Sequence, residues 1–242
     1  MSFILGLAIS GMVLAALAFR GGGLAILFDP GALLLILGGT VGSFLVICPF
    51  SAMRETLAVT MRTLRPVKKP HGLLKQIVEL AYTARREGVL ALEGGDQKLG
   101  DPTLKKGLEL LLESADPATL RGILERDSAV MAEKERSAQE LMERLAVFSP
   151  GIGMVGTLVE IAGMLGRYKA VQTLAPQIAH ALLPVVYGAV FSYLLLFPLA
   201  ARIKSNAARS RAVREMATEG VLAIQAGEPP RLVEERLEAF VR

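Results

Sequence analysis

Long uncharged stretches alternate with charged ones along this chain of 242 residues. The uncharged stretches are residues 1–19, 30–53, 170–201 and, apart from Glu160, 145–166. A helix that crosses the hydrocarbon core of a bilayer needs about 20 consecutive apolar residues. The pattern therefore predicts four transmembrane helices, since a soluble core in a chain of this size could hardly bury all four stretches.

The first and last stretches each allow a second interpretation. Ala16 and Ala18 resemble a signal-peptide cleavage site, but the residues before them lack the basic region that a signal peptide carries. We therefore interpret residues 1–19 as a retained helix. Residues 170–201 are longer than one span requires, so we expect Pro176 to mark a loop or interfacial turn before the fourth helix.

Apolar residues recur at helical spacing between the second and third stretches. Residues 72–88 carry such a stripe and end at a glycine, a typical helix C-cap. Residues 101–115 begin with Asp-Pro, an N-cap followed by proline at the first helical position, and Asp116-Pro117 repeats that pattern. No strong helix breaker follows until Pro150, so we predict one helix from Pro117 through the third span, kinked near Pro150.

These elements divide the chain into four parts. They are transmembrane helices 1 and 2 at 1–53, a cytoplasmic helical domain at 54–144, transmembrane helices 3 and 4 at 145–201, and cytoplasmic C-terminal helices at 202–242. In the last part we expect two short helices, separated by Gly227 and a pair of prolines. The predicted fold is an all-α integral membrane protein whose third and fourth spans extend into a helical cytoplasmic domain.

Basic residues predict the orientation of the chain in the membrane. Of 27 Lys and Arg, 16 lie in residues 51–144 and 8 follow residue 201, which leaves 3 for the two loops on the other side. Because segments next to cytoplasmic span ends are rich in Lys and Arg, both termini and the middle segment are predicted to be cytoplasmic. Residues 51–144 also hold 15 acidic residues, and this near balance gives no indication of nucleic-acid binding.

Composition indicates a lipid environment and gives no sign of an enzyme. Hydrophobic residues make up 52% of the chain but aromatic ones only 5%, a richness in aliphatic residues that exceeds that of soluble domains. The single cysteine, Cys48, excludes an intrachain disulfide, and His71 and His180 are too far apart to share a metal. We predict no catalytic residue, metal or cofactor; His180 is either a polar residue within a span or a proton relay.

The third apolar stretch contains GIGMVGTLVEIAGML, which satisfies the G-x-G-x-x-G pattern of dinucleotide-binding loops. Such a loop needs a preceding strand and an acidic residue about 20 positions further on, and this sequence has neither. Five residues instead share one face of a helix, which we call the glycine face: Gly153, Gly156, Thr157, Glu160 and Gly163. Since small residues let transmembrane helices approach closely, we predict that the glycine face packs against another helix.

A carboxylate at membrane depth indicates a functional site. Counted from a cytoplasmic edge near Leu145, Glu160 lies about 22 Å along a hydrocarbon core of about 30 Å, in its outer third. There it takes part in ion movement, or it is a structural group that snorkels or pairs with Arg167. The sequence leaves both interpretations open.

Five stretches together resemble the MotA/PomA flagellar stator subunits and, more distantly, TolQ and ExbB. The stretches are FDPGALLLILGGT with the first two spans, ARREGVLALEG, PGIGMVGTLV, YGAVFSYLLLFPLAARI and EGVLAIQAGEPPRLVEERLEAFV. They cover almost the whole chain in the order of the family. The resemblance implies a homo-oligomer of the bacterial inner membrane, a pentameric ring around a dimer of a single-span MotB-like partner. The partner's aspartate carries H+ or Na+, and the turning ring pushes a cytoplasmic rotor protein.

The resemblance also implies roles for individual residues. Arg85 or Arg86 and Glu93 match charged residues that face the rotor, where exposed charges form weak pairs that exchange quickly; a solvated helix end is the alternative. Pro150 and Pro198 match prolines near the cytoplasmic ends of spans three and four. Kinks there leave backbone carbonyls free to respond to the partner's aspartate.

The predicted ion pathway combines these two prolines with Thr157, Glu160 and Tyr187. The family often has Gly in place of Glu160, and Na+-driven members carry two threonines where this chain has Pro184 and Val185. Because a hard cation prefers oxygen ligands, we expect H+ rather than Na+. The same departures leave open a TolQ/ExbB-like energiser or a stator that drives a non-flagellar machine.

Overall fold

A computed structural model describes residues 2–20, 28–48, 50–64, 70–93, 99–166 and 174–241 of the chain. Within these ranges the backbone forms helices joined by turns, and no β-strand occurs. The all-α fold class predicted from the sequence is confirmed. Arg167, the predicted structural partner of Glu160, lies outside the described residues.

The chain divides into two compact units, and each is described by itself. One unit comprises Met1–Thr60 and Ser137–Arg202 and holds the uncharged stretches; we call it the apolar unit. The other comprises Met61–Arg136 and Ile203–Arg242, which carry most of the charged residues; we call it the charged unit.

The apolar unit contains helices α1 (Ser2–Arg20) and α2 (Pro30–Ile47), followed by α3 (Phe50–Leu64). α2 begins at Pro30 because Asp29 caps it: its Oδ1 accepts hydrogen bonds from the N–H of Gly31, at 2.8 Å, and of Ala32, at 3.2 Å. Proline at the first helical position suits this start, since it has no N–H that needs an acceptor.

Three helical stretches have the length and apolar composition that a membrane crossing needs: Pro30–Ile47, Pro117–Gly166 and Leu174–Gln225. α1, with 19 residues, coincides with the first predicted span. Only 22%, 33% and 28% of the three most apolar windows are buried within the chain. Most of their apolar surface is therefore left to face lipid or other chains.

In the charged unit, helix ends follow the local chemistry predicted from the sequence. α4 (Pro70–Glu87) stops at Gly88, whose φ of 87° suits glycine and ends the helix. Asp101 caps α5 (Pro102–Leu112) through the N–H groups of Thr103 and Leu104.

A single helix, α6, runs from Pro117 to Gly166 without interruption. Asp116 precedes it and accepts a hydrogen bond from the N–H of Thr119 at 3.0 Å. Pro150 lies inside α6, so the prediction of one helix through the third span is confirmed.

The sequence predicted a loop or interfacial turn at Pro176. The structure places Pro176 instead in the first turn of the short helix α7 (Leu174–Ala181). Proline is tolerated there because the N–H groups of a first helical turn have no intrahelical acceptor. The interruption comes instead at Leu182, between α7 and α8 (Leu183–Val190). A π-helical segment, Phe191–Leu196, follows α8.

The prediction of two short C-terminal helices is wrong for the first of them. Residues 214–225 form the end of α9 (Phe197–Gln225), which continues from the fourth apolar stretch without a break. Gly220 does not interrupt α9, because it packs against Ile77, which a methyl group at this position would approach to 2.7 Å. α10 (Pro230–Glu238) corresponds to the second predicted helix.

Candidate functional site

The glycine face of α6 lies against two neighbouring helices. A Cβ atom at Gly153 would lie 2.5 Å from the carbonyl oxygen of Pro184 in α8, and one at Gly156 would overlap Leu35 of α2. Both glycines are buried, and Gly163 is half-buried on the same face. Close approach to the backbone of Pro184 therefore requires glycine at position 153, whereas at position 156 the Leu35 side chain would have to move; such close approach is typical of transmembrane helices.

Thr157 follows Gly156 on this face and is 8% exposed. Its hydroxyl has no hydrogen-bond partner among the described residues, and the same holds for the buried hydroxyl of Thr40 in α2. A buried polar group without a partner costs about 1–3 kcal/mol. Such groups therefore indicate a place where an ion, a water molecule or a partner chain supplies the missing hydrogen bond.

The two prolines of the predicted pathway, Pro150 in α6 and Pro198 at the start of α9, both change the backbone hydrogen bonds of the apolar unit. Pro150 has no N–H, so the carbonyl of Ala146, four residues earlier, lacks its usual donor. Ser192 supplies one: its hydroxyl donates to that carbonyl at 2.6 Å, and the side chain is completely buried. The Ala146 carbonyl that Pro150 deprives of its helical donor thus has one donor from Ser192, and the predicted response to a partner's aspartate stays a prediction.

Pro198 comes directly after the π-helical segment. The N–H of Phe197 donates to the carbonyl of Ser192, five residues earlier, which is the π-helical pattern. In an α-helix the ring of Pro198 would clash with the carbonyl of Leu194, and the wider π turn relieves this clash. Sequence reasoning missed the segment, although a proline inside a long apolar helix is a signal for it.

A polar cluster surrounds the cap of α2. We use this name for Asp29, Glu160, His180 and Tyr187, which come from four different elements. The Tyr187 hydroxyl accepts a hydrogen bond from the N–H of Asp29 at 2.9 Å. Oδ2 of Asp29, the oxygen not used in the cap, lies 4.0 Å from His180 Nδ1. Glu160 interacts electrostatically with both Asp29 and His180. The sequence indicated Glu160 and Tyr187, but the part played by Asp29 was not foreseen.

The charges predicted to face a rotor lie in the charged unit. Arg85 and Arg86 occupy the last turn of α4, and Glu93 follows a 3-10 turn, Val89–Leu92. All three side chains are exposed. Within the described residues, no ion pair involves any of them.

The described residues contain no group of three or more His, Cys, Asp and Glu side chains that could hold a metal ion. They bring together instead a close-packed helical face, an unpartnered hydroxyl, two proline sites and a titratable cluster. These features define a class of protein: an all-α membrane protein with buried polar groups among its apolar helices.

Two family models identify this class more closely. Residues 96–216 match the MotA/TolQ/ExbB proton channel family, and residues 4–88 match the N-terminal region of motility protein A. The chain belongs to the MotA/TolQ/ExbB proton channel family. This confirms both the resemblance and the prediction that the chain is a membrane protein without enzymatic activity.

Relatives of known role match over most of their length. Motility protein A of Treponema phagedenis is 31% identical over 204 residues, which cover 83% of this chain and 79% of that protein. Motility protein A of Borreliella burgdorferi is 29% identical over 96% of this chain and 89% of that protein. Chemotaxis protein PomA of Vibrio alginolyticus is 29% identical over 91% of this chain and 87% of its own length.

Solved structures share the fold. The MotAB structure of C. jejuni superposes with a TM-score of 0.92 at 20% identity, covering 100% of this chain and 95% of that one. The flagellar MotAB stator complex of Bacillus subtilis superposes with a TM-score of 0.89 at 23% identity, covering 99% and 95%.

Proposed function

We propose that the chain is the ring-forming stator subunit of an ion-driven bacterial motor, which couples H+ flow to torque on a cytoplasmic rotor. The observation that carries this proposal is the buried, unpartnered hydroxyl of Thr157 on the glycine face. In a family of proton channels, an unsatisfied polar group inside an apolar unit suits an ion path.

A second chain completes the ion path in this proposal. The solved relatives are MotAB complexes, so we propose a MotB-like partner with a single span, present as a dimer inside a homo-oligomeric ring. A pentamer suits the large exposed apolar surface of the spans. On α6 alone, Met154, Val155, Leu158 and Val159 are each more than half exposed, and neighbouring subunits and lipid cover them.

H+ is the ion that the local chemistry favours. Pro184 and Val185, which precede the Tyr-Gly pair, carry no side-chain oxygen that could replace the water around Na+. A proton needs only titratable groups and hydrogen-bonded hydroxyls. The polar cluster of Asp29, Glu160, His180 and Tyr187 supplies such groups, and we propose that protons enter through it.

The distribution of basic residues supports an inner-membrane location with both termini in the cytoplasm. In this orientation the charged unit is cytoplasmic. Its exposed Arg85, Arg86 and Glu93 then form the surface that contacts the rotor, through weak charge pairs that break quickly enough for stepping.

Complementation tests the proposal. The chain is expressed with its single-span partner in a bacterium that lacks its own stator, and flagellar rotation is measured with an attached bead. We expect rotation to stop when the proton gradient is collapsed and to continue when the sodium gradient is collapsed. Rotation that follows the sodium gradient would contradict the choice of ion. If the chain assembles with its partner but produces neither flagellar rotation nor proton flux, the proposal is overturned.

The role of Thr157 is tested by Thr157→Val, which keeps the shape of the side chain and removes the hydroxyl. Thr56→Val is the matched control, because Thr56 is also buried but is not on the glycine face. We expect Thr157→Val to reduce proton flux strongly and Thr56→Val to leave it near the wild-type level. Equal flux in both variants would remove Thr157 from the ion path.

A further inference from the structure

Ser192 makes contacts that link the two proline sites of the apolar unit. Its hydroxyl donates to the Ala146 carbonyl at 2.6 Å; we call this hydrogen bond the serine bridge. Pro150 has deprived that carbonyl of its intrahelical donor. Ser192 is completely buried and so is Ala146, which means that water does not replace the bond.

The backbone of Ser192 acts on the other proline. Its carbonyl accepts the N–H of Phe197 in the π-helical turn that precedes Pro198. If the π turn tightened into an α turn, that N–H would move to the carbonyl of Tyr193, one residue later. The Ser192 side chain would then point in a different direction around the helix axis, and its hydroxyl could no longer donate to the Ala146 carbonyl. The state of the π turn and the serine bridge are thus geometrically coupled.

We propose that Ser192 is a positioning residue that couples the two proline sites, so that a displacement at Pro150 alters the π turn before Pro198 and the reverse. This inference rests on the proposed function and on the sequence prediction that both prolines belong to the ion pathway. Protonation of a partner's carboxylate at one site then changes the backbone at the other, which is what a stepwise rotation of one chain against another requires.

Ser149 provides a matched control within the same unit. It is a serine with the same complete burial, and its hydroxyl donates to the Gly188 carbonyl at 3.2 Å. That carbonyl also accepts the N–H of Phe191. Removing the Ser149 hydroxyl therefore leaves no carbonyl without a donor, whereas removing the Ser192 hydroxyl leaves Ala146 unsatisfied.

A double-mutant cycle on the purified complex with its partner tests the serine bridge. Pro150→Ala restores an N–H that can bond to Ala146 within α6. We expect Ser192→Ala to lower the Tm by about 2–4 °C in the wild-type background and to lower it no further in Pro150→Ala. Ser149→Ala should lower the Tm less, and by the same amount in both backgrounds. An equal loss for Ser192→Ala in both backgrounds would overturn the inference.

If Ser192→Ala does not form a complex with the partner, complex formation by a double variant tests the serine bridge instead. In that case the double variant Pro150→Ala/Ser192→Ala should assemble again, because the Ala146 carbonyl has a donor. Loss of assembly in the double variant, with Ser149→Ala assembling normally, would contradict the serine bridge.

The torque of single stator units separates positioning from mere stability. When units join a motor one at a time, a structural defect lowers the number of speed steps, whereas a coupling defect lowers the height of each step. We expect lower steps for Ser192→Ala and steps of normal height for Ser149→Ala. Normal steps for both would overturn the coupling role. Absence of rotation with the wild-type chain would instead refute the proposed function, and the Tm cycle would still decide on the serine bridge.

Discussion

The apolar unit and the charged unit differ in the polar side chains that they bury. In the charged unit, the largest completely buried side chains are apolar: Ile77, Leu104, Leu108, Leu120, Ile203, Met216, Val221, Val233 and Leu237. Of the seven buried polar side chains among the described residues, six lie in the apolar unit, and only Thr218 lies in the charged unit.

The solvent explains this difference. In water, burial of apolar surface drives packing at about 25 cal/mol per Å², so a Leu and Ile core is sufficient. In lipid this driving force is absent between helices, and close approach and hydrogen bonds specify the packing instead. Gly153 and Ser192 thus specify the packing of the apolar unit, as Ile77 does in the charged unit. Four substitutions, ordered from the largest expected effect, test this difference.

Ile77→Ala should have the largest effect. The side chain is completely buried against Gly220, and truncation of such a residue costs about 2–5 kcal/mol. Leu158→Ala in the apolar unit should cost far less, since Leu158 is 63% exposed. Thermal unfolding of the two purified variants measures the contrast. Similar losses of stability would mean that another chain buries Leu158 in the purified protein.

Arg214→Met tests the polar contacts of the charged unit. Arg214 makes two hydrogen bonds to Glu135, of 3.2 and 3.0 Å, and the two side chains are only 14% and 18% exposed. Loss of this pair should cost about 1.5–3 kcal/mol, because the Glu135 carboxylate remains without its partner. Arg211→Met, which removes an exposed pair with Glu215, is the control and should change unfolding little.

Much of the charged unit could be predicted from the sequence because its helix ends depend on neighbours in the chain. Asp101 and Asp116 are each followed by proline, and each caps the helix that this pattern predicts. The continuity of α9 was missed, because Gly220 is stabilised within the helix by Ile77, a residue far away in the sequence.

The site in the apolar unit was predicted less completely, for a physical reason. The glycine face could be recognised, since residues on one helix face have fixed spacing. The donor for the Ala146 carbonyl could not, because Ser192 is 46 residues away. Pro150 nevertheless indicates that this carbonyl must find a donor elsewhere. The contact between Asp29 and His180 likewise depends on the fold.

Gly153→Ala tests the close helix packing of the apolar unit. The added methyl group would meet the backbone of Pro184, which cannot rotate away as a side chain does. Overpacking of this kind costs about 1–3 kcal/mol. A Cβ at Gly151 meets nothing within 4 Å, so Gly151→Ala should be tolerated. Both variants are compared by the yield of detergent-stable complex and by motility; equal behaviour would contradict the close approach of α6 and α8.

Asp116→Asn should have the smallest effect, visible only through pH. Hydrogen bonds from the side chain and the backbone of Thr119 hold the pKa of Asp116 below its ordinary value of 3.8. The stability from the charged cap is therefore complete above that value and is lost as the pH falls through the lower folded-state pKa. Asn caps a helix about as well as Asp at neutral pH, so the variant should lose only this acid-dependent part.

Unfolding curves recorded from neutral pH downward check this prediction. Glu133→Gln, an exposed carboxylate within α6, serves as the control. A wild-type curve that is no steeper in acid than that of Asp116→Asn would show that the cap does not contribute to the pH dependence.

The bend between α4 and Glu93 has a consequence for how such proteins diverge. Gly88 sets the backbone and the buried Leu92 anchors the turn, so the exposed charges of Arg85, Arg86 and Glu93 contribute little to folding. Their identity can drift, or reverse in sign together with that of a binding partner, without loss of stability. Two such subunits encoded in one genome can therefore evolve separate partners by exchanging a few surface charges while keeping one scaffold.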